Sequence, residues 1–279
     1  MQKIKVSELF YSIQGEGRYM GVPSVFLRTF GCNFTCGGFG MPKGQTSNER
    51  DVVAANAGEY KQYRDLPLVS TGCDSYASWD PRFKHLSPLL ETDAIAKAII
   101  EALPHNQWGD EHLVITGGEP LLGWQRAYPE LLDHELMRDL KEVTFETNGT
   151  QNVDKRLRDY LVERFDWNDI TFSVSPKLGV SGEKWEDAII PEIITVYELI
   201  GYTYLKFVVA SEEDVQEAER ADYEYRSAGF SGPTYLMPVG GVESVYSLNN
   251  RKVAEMAMAR GWRYSDRLQV PLFKNAWGT

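Results

Sequence analysis

Cysteine is scarce in this chain of 279 residues, which has only Cys32, Cys36 and Cys73. An odd number excludes a complete disulfide framework. A basic excess is also missing: 40 Asp and Glu outweigh 29 Lys and Arg, for a formal charge of −11. Proteins that track phosphate backbones need a basic footprint, so nucleic acid is not expected as a partner. A small anionic ligand remains compatible, because one buried Arg outweighs a distant average field. No run approaches the roughly 20 apolar residues that span a bilayer, so no membrane partner is expected. Behind Met1–Lys5 comes an alternating stretch without the apolar centre of a signal peptide. These absences favour a cytoplasmic protein whose thiols stay reduced and available as ligands.

What is present is a sizeable core. Hydrophobic residues make up 43% of the chain, and α/β barrels reach this length as single domains. Short apolar runs alternate with amphipathic segments. Strands are expected at 25–28, 113–116, 142–147, 170–175, 203–209 and 234–237. Helices are expected over 92–103 (capped by Thr92 or Asp93), 130–140, 153–165 and 247–260, the last closed by Gly261. Ser211-Glu212-Glu213-Asp214 has the form of a capping box opening a further helix. Such alternation predicts a parallel sheet, open or curled into a barrel.

Residues 37–72 break the rhythm. They are polar, rich in Gly, Ser and Asn, and read as an insertion carrying some helix of its own, around 49–57.

The cysteines bracket that segment. Three residues separate Cys32 from Cys36, and 36 separate Cys36 from Cys73. Three thiolates suit iron–sulfur or zinc chemistry, and softness alone does not choose. Structural zinc prefers four ligands, usually with paired C-x-x-C spacing. No such pair exists here, leaving His85, His105, His112 or His134 as a fourth ligand. Three unrelated buried cysteines are a further alternative. A four-iron cluster with three cysteines has a chemical logic of its own, because it leaves one iron open to a small molecule.

Read with their neighbours, the cysteines resemble the radical S-adenosylmethionine (SAM) superfamily, and within it the 7-carboxy-7-deazaguanine synthase family. The resemblance runs from Phe10-Tyr11-Ser12-Ile13-Gln14-Gly15-Glu16-Gly17 through Arg28-Thr29-Phe30-Gly31-Cys32-Asn33 to Cys73-Asp74-Ser75-Tyr76. It continues at Thr116-Gly117-Gly118-Glu119-Pro120, Glu146-Thr147-Asn148-Gly149-Thr150 and Ser175-Pro176-Lys177. Each motif is modest alone. Their joint order is specific, and it covers most of the chain outside residues 37–72.

The resemblance implies that Cys32, Cys36 and Cys73 ligate a 4Fe-4S cluster whose fourth iron is chelated by SAM. Gly117, Gly118 and Glu119 would present backbone groups to the SAM amino group. Glu146, Ser175, Pro176 and Lys177 would line the SAM site from neighbouring strand ends, with Asp74 beside it. Ser75 stands where the family has a threonine that binds Mg²⁺, and keeps the hydroxyl. Ile13, Gln14, Gly15, Glu16 and Thr116 would contact a pterin, and Arg28 would grip its carboxylate. The implied reaction is that of a carbon–nitrogen lyase: radical ring contraction of 6-carboxy-5,6,7,8-tetrahydropterin to 7-carboxy-7-deazaguanine, with loss of ammonia, in queuosine or 7-deazapurine biosynthesis. A flavodoxin-type electron donor and a homodimer are implied as well.

The implied fold is α/β, a partial, modified TIM barrel in one domain, with the insertion in the cluster loop. Some positions depart from the family pattern. Gly72 stands where relatives have an aromatic backing the adenine, so Tyr76 or the insertion is expected to take over. Lengthening a two-residue gap to 36 costs roughly 2.6 kcal/mol in loop closure, against metal-site energies on the order of 10 kcal/mol. Met237-Pro238 loosely matches a late SAM-contacting segment, and Thr279 sits where the family's C-terminus reaches substrate. Two alternatives share features with this expectation: an activase that installs a glycyl radical on a partner protein, and a zinc-stabilised binding module without catalysis.

Overall fold

In the computed structural model, which describes residues 1–279, chain order is β1 (Lys3–Ile13), β2 (Pro23–Thr29), α1 (Glu49–Ala54), β3 (Leu89–Glu91), α2 (Thr92–Ala102), β4 (His112–Gly117), α3 (Tyr128–Leu132), β5 (Val143–Thr147), α4 (Lys155–Arg164), β6 (Ile170–Val174), α5 (Trp185–Ala188), α6 (Pro191–Ile200), β7 (Tyr202–Val209), α7 (Glu212–Ser227), β8 (Thr234–Pro238), α8 (Glu243–Ala259), β9 (Arg263–Tyr264) and α9 (Gln269–Phe273). The strands form one nine-stranded sheet in the order β3-β1-β2-β4-β5-β6-β7-β8-β9. From β2 onward every pairing is parallel. The expected parallel sheet is present, with β1 as the exception that runs antiparallel to both neighbours. The short link between β1 and β2 can make a turn, but a parallel neighbour would need a long crossover.

Strand alternation divides the sheet into two chemical faces. Leu27, Ile115, Phe145, Phe172, Leu205 and Leu236 face the helices and are fully buried. Phe145, Phe172 and Tyr197 of α6 stack in series at 5.6 and 4.5 Å. Burying each such ring contributes about 2–3 kcal/mol. The next residue on five of these strands is polar and points the other way: Arg28, Thr116, Glu146, Ser173 and Lys206 all line one cavity.

The sheet curls around that cavity. Glu16, just past β1, forms an ion pair with Lys206 on β7. Those strands stand five steps apart in the sheet, roughly 24 Å if it were flat. Only pronounced curvature brings them together.

Several local expectations are corrected. The helix expected over 130–140 divides into α3 and a 3₁₀ turn at Glu135–Met137, because His134 Nδ1 accepts from the Leu136 amide at 3.2 Å and ends the run. Neither Thr92 nor Asp93 caps α2; Glu91 holds that place, and the Thr92 hydroxyl donates to Glu130 at 2.6 Å. Helices α5 and α6 were not anticipated, although Ile193, Ile194, Tyr197 and Ile200 give α6 a clear buried face. The capping box at Ser211 and Asp214 forms as expected.

Residues 37–72 are ordered around a small core of their own. Ala54, Ala57, Tyr63, Leu66 and Val69 pack with Tyr76, Ala77, Phe83 and Leu86. The helix expected over 49–57 is the shorter α1, followed by 3₁₀ turns at Ala57–Glu59 and Tyr63–Asp65. No helix of the protein is long and apolar enough to cross a membrane.

Candidate active site

The polar face of the sheet opens into a cavity of about 260 Å³ at the carboxyl ends of the parallel strands. Barrel-type enzymes build their sites at this end. One side of the cavity is rich in sulfur. Cys32, Cys36 and Cys73 all line it, all are free, and the three pack in one cluster with Phe34 and Phe39. Cys32 and Cys73 each accept a hydrogen bond at sulfur, from the Phe34 amide at 3.4 Å and from Trp79 Nε1 at 3.3 Å. Cys36 adopts a left-handed φ of 49°, and its amide donates to Glu183 Oε1 at 2.7 Å.

Burial pushes all three thiols up, Cys32 to about 12; neighbouring thiols add to the rise of Cys32 and Cys36, and the Asp74 charge to that of Cys73. Lys177 pulls each one back. Three free thiols beside a cavity, with Lys177 favouring their thiolate forms, are a suitable donor set for an iron–sulfur group. No three His, Cys, Asp or Glu side chains converge closely enough for a single ion.

Glycines set the next wall. A methyl group on Gly118 would lie 2.3 Å from Gly31 O and 2.8 Å from Cys32 Cβ; one on Gly117 would lie 2.2 Å from Thr29 O. Gly117 also holds φ at +143°, so close backbone approach and conformation both require glycine there. Glu119 points away from the cavity and is fully buried. Its carboxylate accepts from Thr147 Oγ1 at 2.8 Å, the Asn148 amide at 2.7 Å and the Leu121 amide at 3.0 Å. Burial raises this group to about 7 against the pull of those donors. Its side chain braces the ends of β4 and β5, which fixes the glycine backbone.

The opposite wall is a charged network. Glu16 receives Lys206 on Oε2, and on Oε1 receives Gln269 Nε2 at 2.8 Å and Arg267 Nε at 3.3 Å. Burial alone would raise Glu16, but the Lys206 and Arg267 charges outweigh it and bring the group down to about 2. Arg267 also donates to Asp74 Oδ2 at 2.6 Å. Glu146 ties two further predicted residues together, accepting from Gln14 Nε2 at 3.1 Å and Thr116 Oγ1 at 2.9 Å. Arg28 faces Glu8 at 3.1 Å and donates to Ser75 Oγ at 3.2 Å.

Most of the residues predicted from sequence therefore meet in one cavity: Ile13, Gln14, Gly15, Glu16, Arg28, the three cysteines, Asp74, Ser75, Thr116, Gly117, Gly118, Glu146, Ser175, Lys177, Met237 and Thr279. Tyr76 is a correction. Its ring is fully buried in the small core, its hydroxyl donates to Pro67 O at 2.8 Å, and it cannot face a ligand in the cavity. Pro176 and Pro238 are buried behind the lining, where they shape the strand ends. Leu68 and Val69 of segment 37–72 do line the cavity.

Sequence reasoning missed Lys206, Arg267, Gln269, Glu8, Trp79 and Trp277. The alternation of strand residues could have revealed Lys206, because it occupies the same inward register as Arg28, Thr116 and Glu146 on their strands.

No protein-family model matches the chain. Among curated proteins, the chain is 32% identical to the 7-carboxy-7-deazaguanine synthase of Halobacterium salinarum, across 98% of this chain and 91% of that one. It is 31% identical to that of Rhodopirellula baltica, across 98% and 88%, and 29% identical to that of Pyrobaculum aerophilum, across 99% and 97%. Among solved structures, the crystal structure of QueE from Escherichia coli superposes with a TM-score of 0.56 at 20% identity, covering 95% of this chain and 94% of that one. At that identity the likeness speaks for the fold alone.

Proposed function

The chain belongs to the 7-carboxy-7-deazaguanine synthase family, and we propose that the cavity at its strand ends performs that family's radical SAM ring contraction of 6-carboxy-5,6,7,8-tetrahydropterin. The product is 7-carboxy-7-deazaguanine, with ammonia lost. One observation carries the assignment of the site. Three free thiols and a glycine strand end occupy one side of a cavity whose other side holds Gln14, Glu16, Arg28 and Lys206.

Cys32, Cys36 and Cys73 would hold the 4Fe-4S cluster. Gly117, Gly118, Ser175, Lys177 and Met237 would surround SAM, with Asp74 and Glu146 at its edge. Bound there, cluster and SAM supply a reducing electron and a carbon radical able to take a hydrogen atom.

The chain's own groups orient the pterin. Arg28 is suited to its carboxylate, since Nε faces Glu8 while Nη1 meets only the neutral Ser75 hydroxyl, which a carboxylate can displace. Glu16, kept ionised by Lys206 and Arg267, is a fixed acceptor for the pterin amino group. Glu146 holds Gln14 and Thr116 in place around the ring. Thr279 would close the substrate side. Ser75 offers a neutral oxygen to Mg²⁺, with Asp74 Oδ1 at 3.3 Å, once Arg28 withdraws to the substrate.

The curvature required by the Glu16–Lys206 pair supports an incomplete TIM barrel in a single domain, with 37–72 inserted in the cluster loop. A flavodoxin-type donor, a homodimer and a cytoplasmic setting complete the proposal. Anaerobic reconstitution with iron and sulfide, followed by turnover with SAM and the tetrahydropterin, tests it. A dithionite-bleachable brown protein that releases 7-carboxy-7-deazaguanine is expected. A protein that takes up no iron, or cleaves SAM without forming this product, would overturn it.

A further inference from the structure

The last residues of the chain are turned back into the cavity by an unusual local conformation. After α9, Lys274 and Asn275 take left-handed φ values of 57° and 54°. Two successive non-glycine residues in that region reverse the chain sharply, and such a reversal persists only where the surroundings hold it. Here the Lys274 amide donates to Val270 O at 2.8 Å, and the Asn275 amide to Gln269 O at 2.9 Å. Asn275 Nδ2 donates to Gly241 O at 2.9 Å. Residues 275–279 then line the cavity.

Beyond the reversal, one side chain anchors the tail. The Trp277 ring lies 5.4 Å from the Tyr63 ring and 5.6 Å, edge-on, from that of Tyr76. Tyr63 belongs to segment 37–72, and its hydroxyl reaches Ala77 O at 2.9 Å and Ser87 Oγ at 2.8 Å. The Trp277 indole N–H is buried without an acceptor, so packing against the small core, and no hydrogen bond, holds the ring. Next to it, Gly278 and Thr279 share the cavity lining with Glu8, which faces Arg28 at 3.1 Å.

We propose that segment 37–72 is the dock for the C-terminal tail, and that Trp277 is the positioning residue through which it holds Gly278 and Thr279 beside the Glu8–Arg28 pair. On this account Tyr63, which does not line the cavity, contributes to substrate affinity through Trp277. The kinetic part rests on the site proposed above; the docking part does not.

Hydrogen exchange and steady-state kinetics on Trp277→Ala, Trp277→Phe and Tyr63→Ala test the proposal. Trp277→Ala should speed amide exchange at least tenfold, both in a peptide covering 274–279 and in one covering 60–69. In the reconstituted enzyme its KM for the tetrahydropterin should rise at least tenfold, with kcat changed less than threefold. Trp277→Phe keeps a ring and should recover most of both losses, and Tyr63→Ala should loosen the tail peptide likewise. Unchanged exchange on either side overturns the dock. A loosened tail with unchanged KM overturns the positioning role, as does a Phe variant as impaired as Ala. A wild-type protein that makes no product would count against the proposed site, while the exchange measurements would still decide whether the tail is docked.

Discussion

Arg267 donates to Asp74 Oδ2 at 2.6 Å and faces Glu16 Oε1 at 3.3 Å, so one buried guanidinium joins the residue after the third cysteine to the loop that follows β1. It also donates to Gly240 O at 2.5 Å. Removing one partner of a buried ionic group leaves the others uncompensated, at a cost of about 3–5 kcal/mol. Arg267→Gln should therefore lower the urea midpoint by a corresponding amount. A change below about 1 kcal/mol, the value of an ordinary surface pair, would show that water compensates these carboxylates.

Lys206 and Glu16 give a pH signature. The folded Glu16 carboxyl lies at about 2, below its ordinary value. Its contribution is thus fully present above the ordinary carboxylate range and is lost as pH falls through that range toward 2. Lys206→Met removes the nearest compensating charge and should raise Glu16, so that the variant prefers to fold with this group protonated. The stability gap between wild type and variant should be wide at pH 7 and narrow at pH 4, measured by urea unfolding at both. An equal gap at the two values would assign the loss to packing of the lysine stem.

Much of the site was legible because motif residues sit where strands end. Gln14, Arg28, the cysteines, Thr116, Gly118 and Lys177 share one cavity, as the order of the motifs implied. Lys206 was overlooked although strand alternation marks it as inward-facing, because a single lysine in an apolar strand names no partner until the strands across the sheet are placed. Arg267 and Gln269 lie in a short, unpatterned stretch at the start of α9, and only the curl of the sheet brings them to Glu16. Tyr76 was misassigned for a related reason. The small core that buries it draws on residues 37–72, whose polar composition gave no hint of a core. The parallel sheet was legible from strand–helix alternation, but the antiparallel pairing of β1 depends on loop length, which periodicity does not report.

Gly118 offers a test of how the cluster loop is seated. A Cβ there would overlap Gly31 O at 2.3 Å, and backbone cannot swing aside as the end of a flexible side chain would. Gly118→Ala should displace Gly31-Cys32 from the end of β4 and reduce iron bound after reconstitution at least tenfold, while far-UV circular dichroism stays native. Full iron content in the variant would mean that the loop has slack at this point.

Trp79 reaches the sulfur of Cys73 from six residues away in sequence, with its indole N–H 3.3 Å from Sγ. The guanidinium of Arg50, on α1, lies 5.0 Å from the Trp79 ring centroid and faces Asp80 at 3.3 Å. Donors to cluster sulfur stabilise the more negative, reduced state and so raise the reduction potential. Trp79→Phe keeps most of the packing and deletes the donor. The reconstituted variant should retain its iron but reduce at a lower potential, by about 60 mV if the bond favours the reduced state tenfold in a one-electron step. An anaerobic redox titration followed by electron paramagnetic resonance reads this directly. Arg50→Ala should shift the potential in the same direction by less, since it acts only through the ring. A potential identical to wild type in both variants would mean that the Trp79 contact is packing only, and that segment 37–72 has no electronic reach to the cysteines.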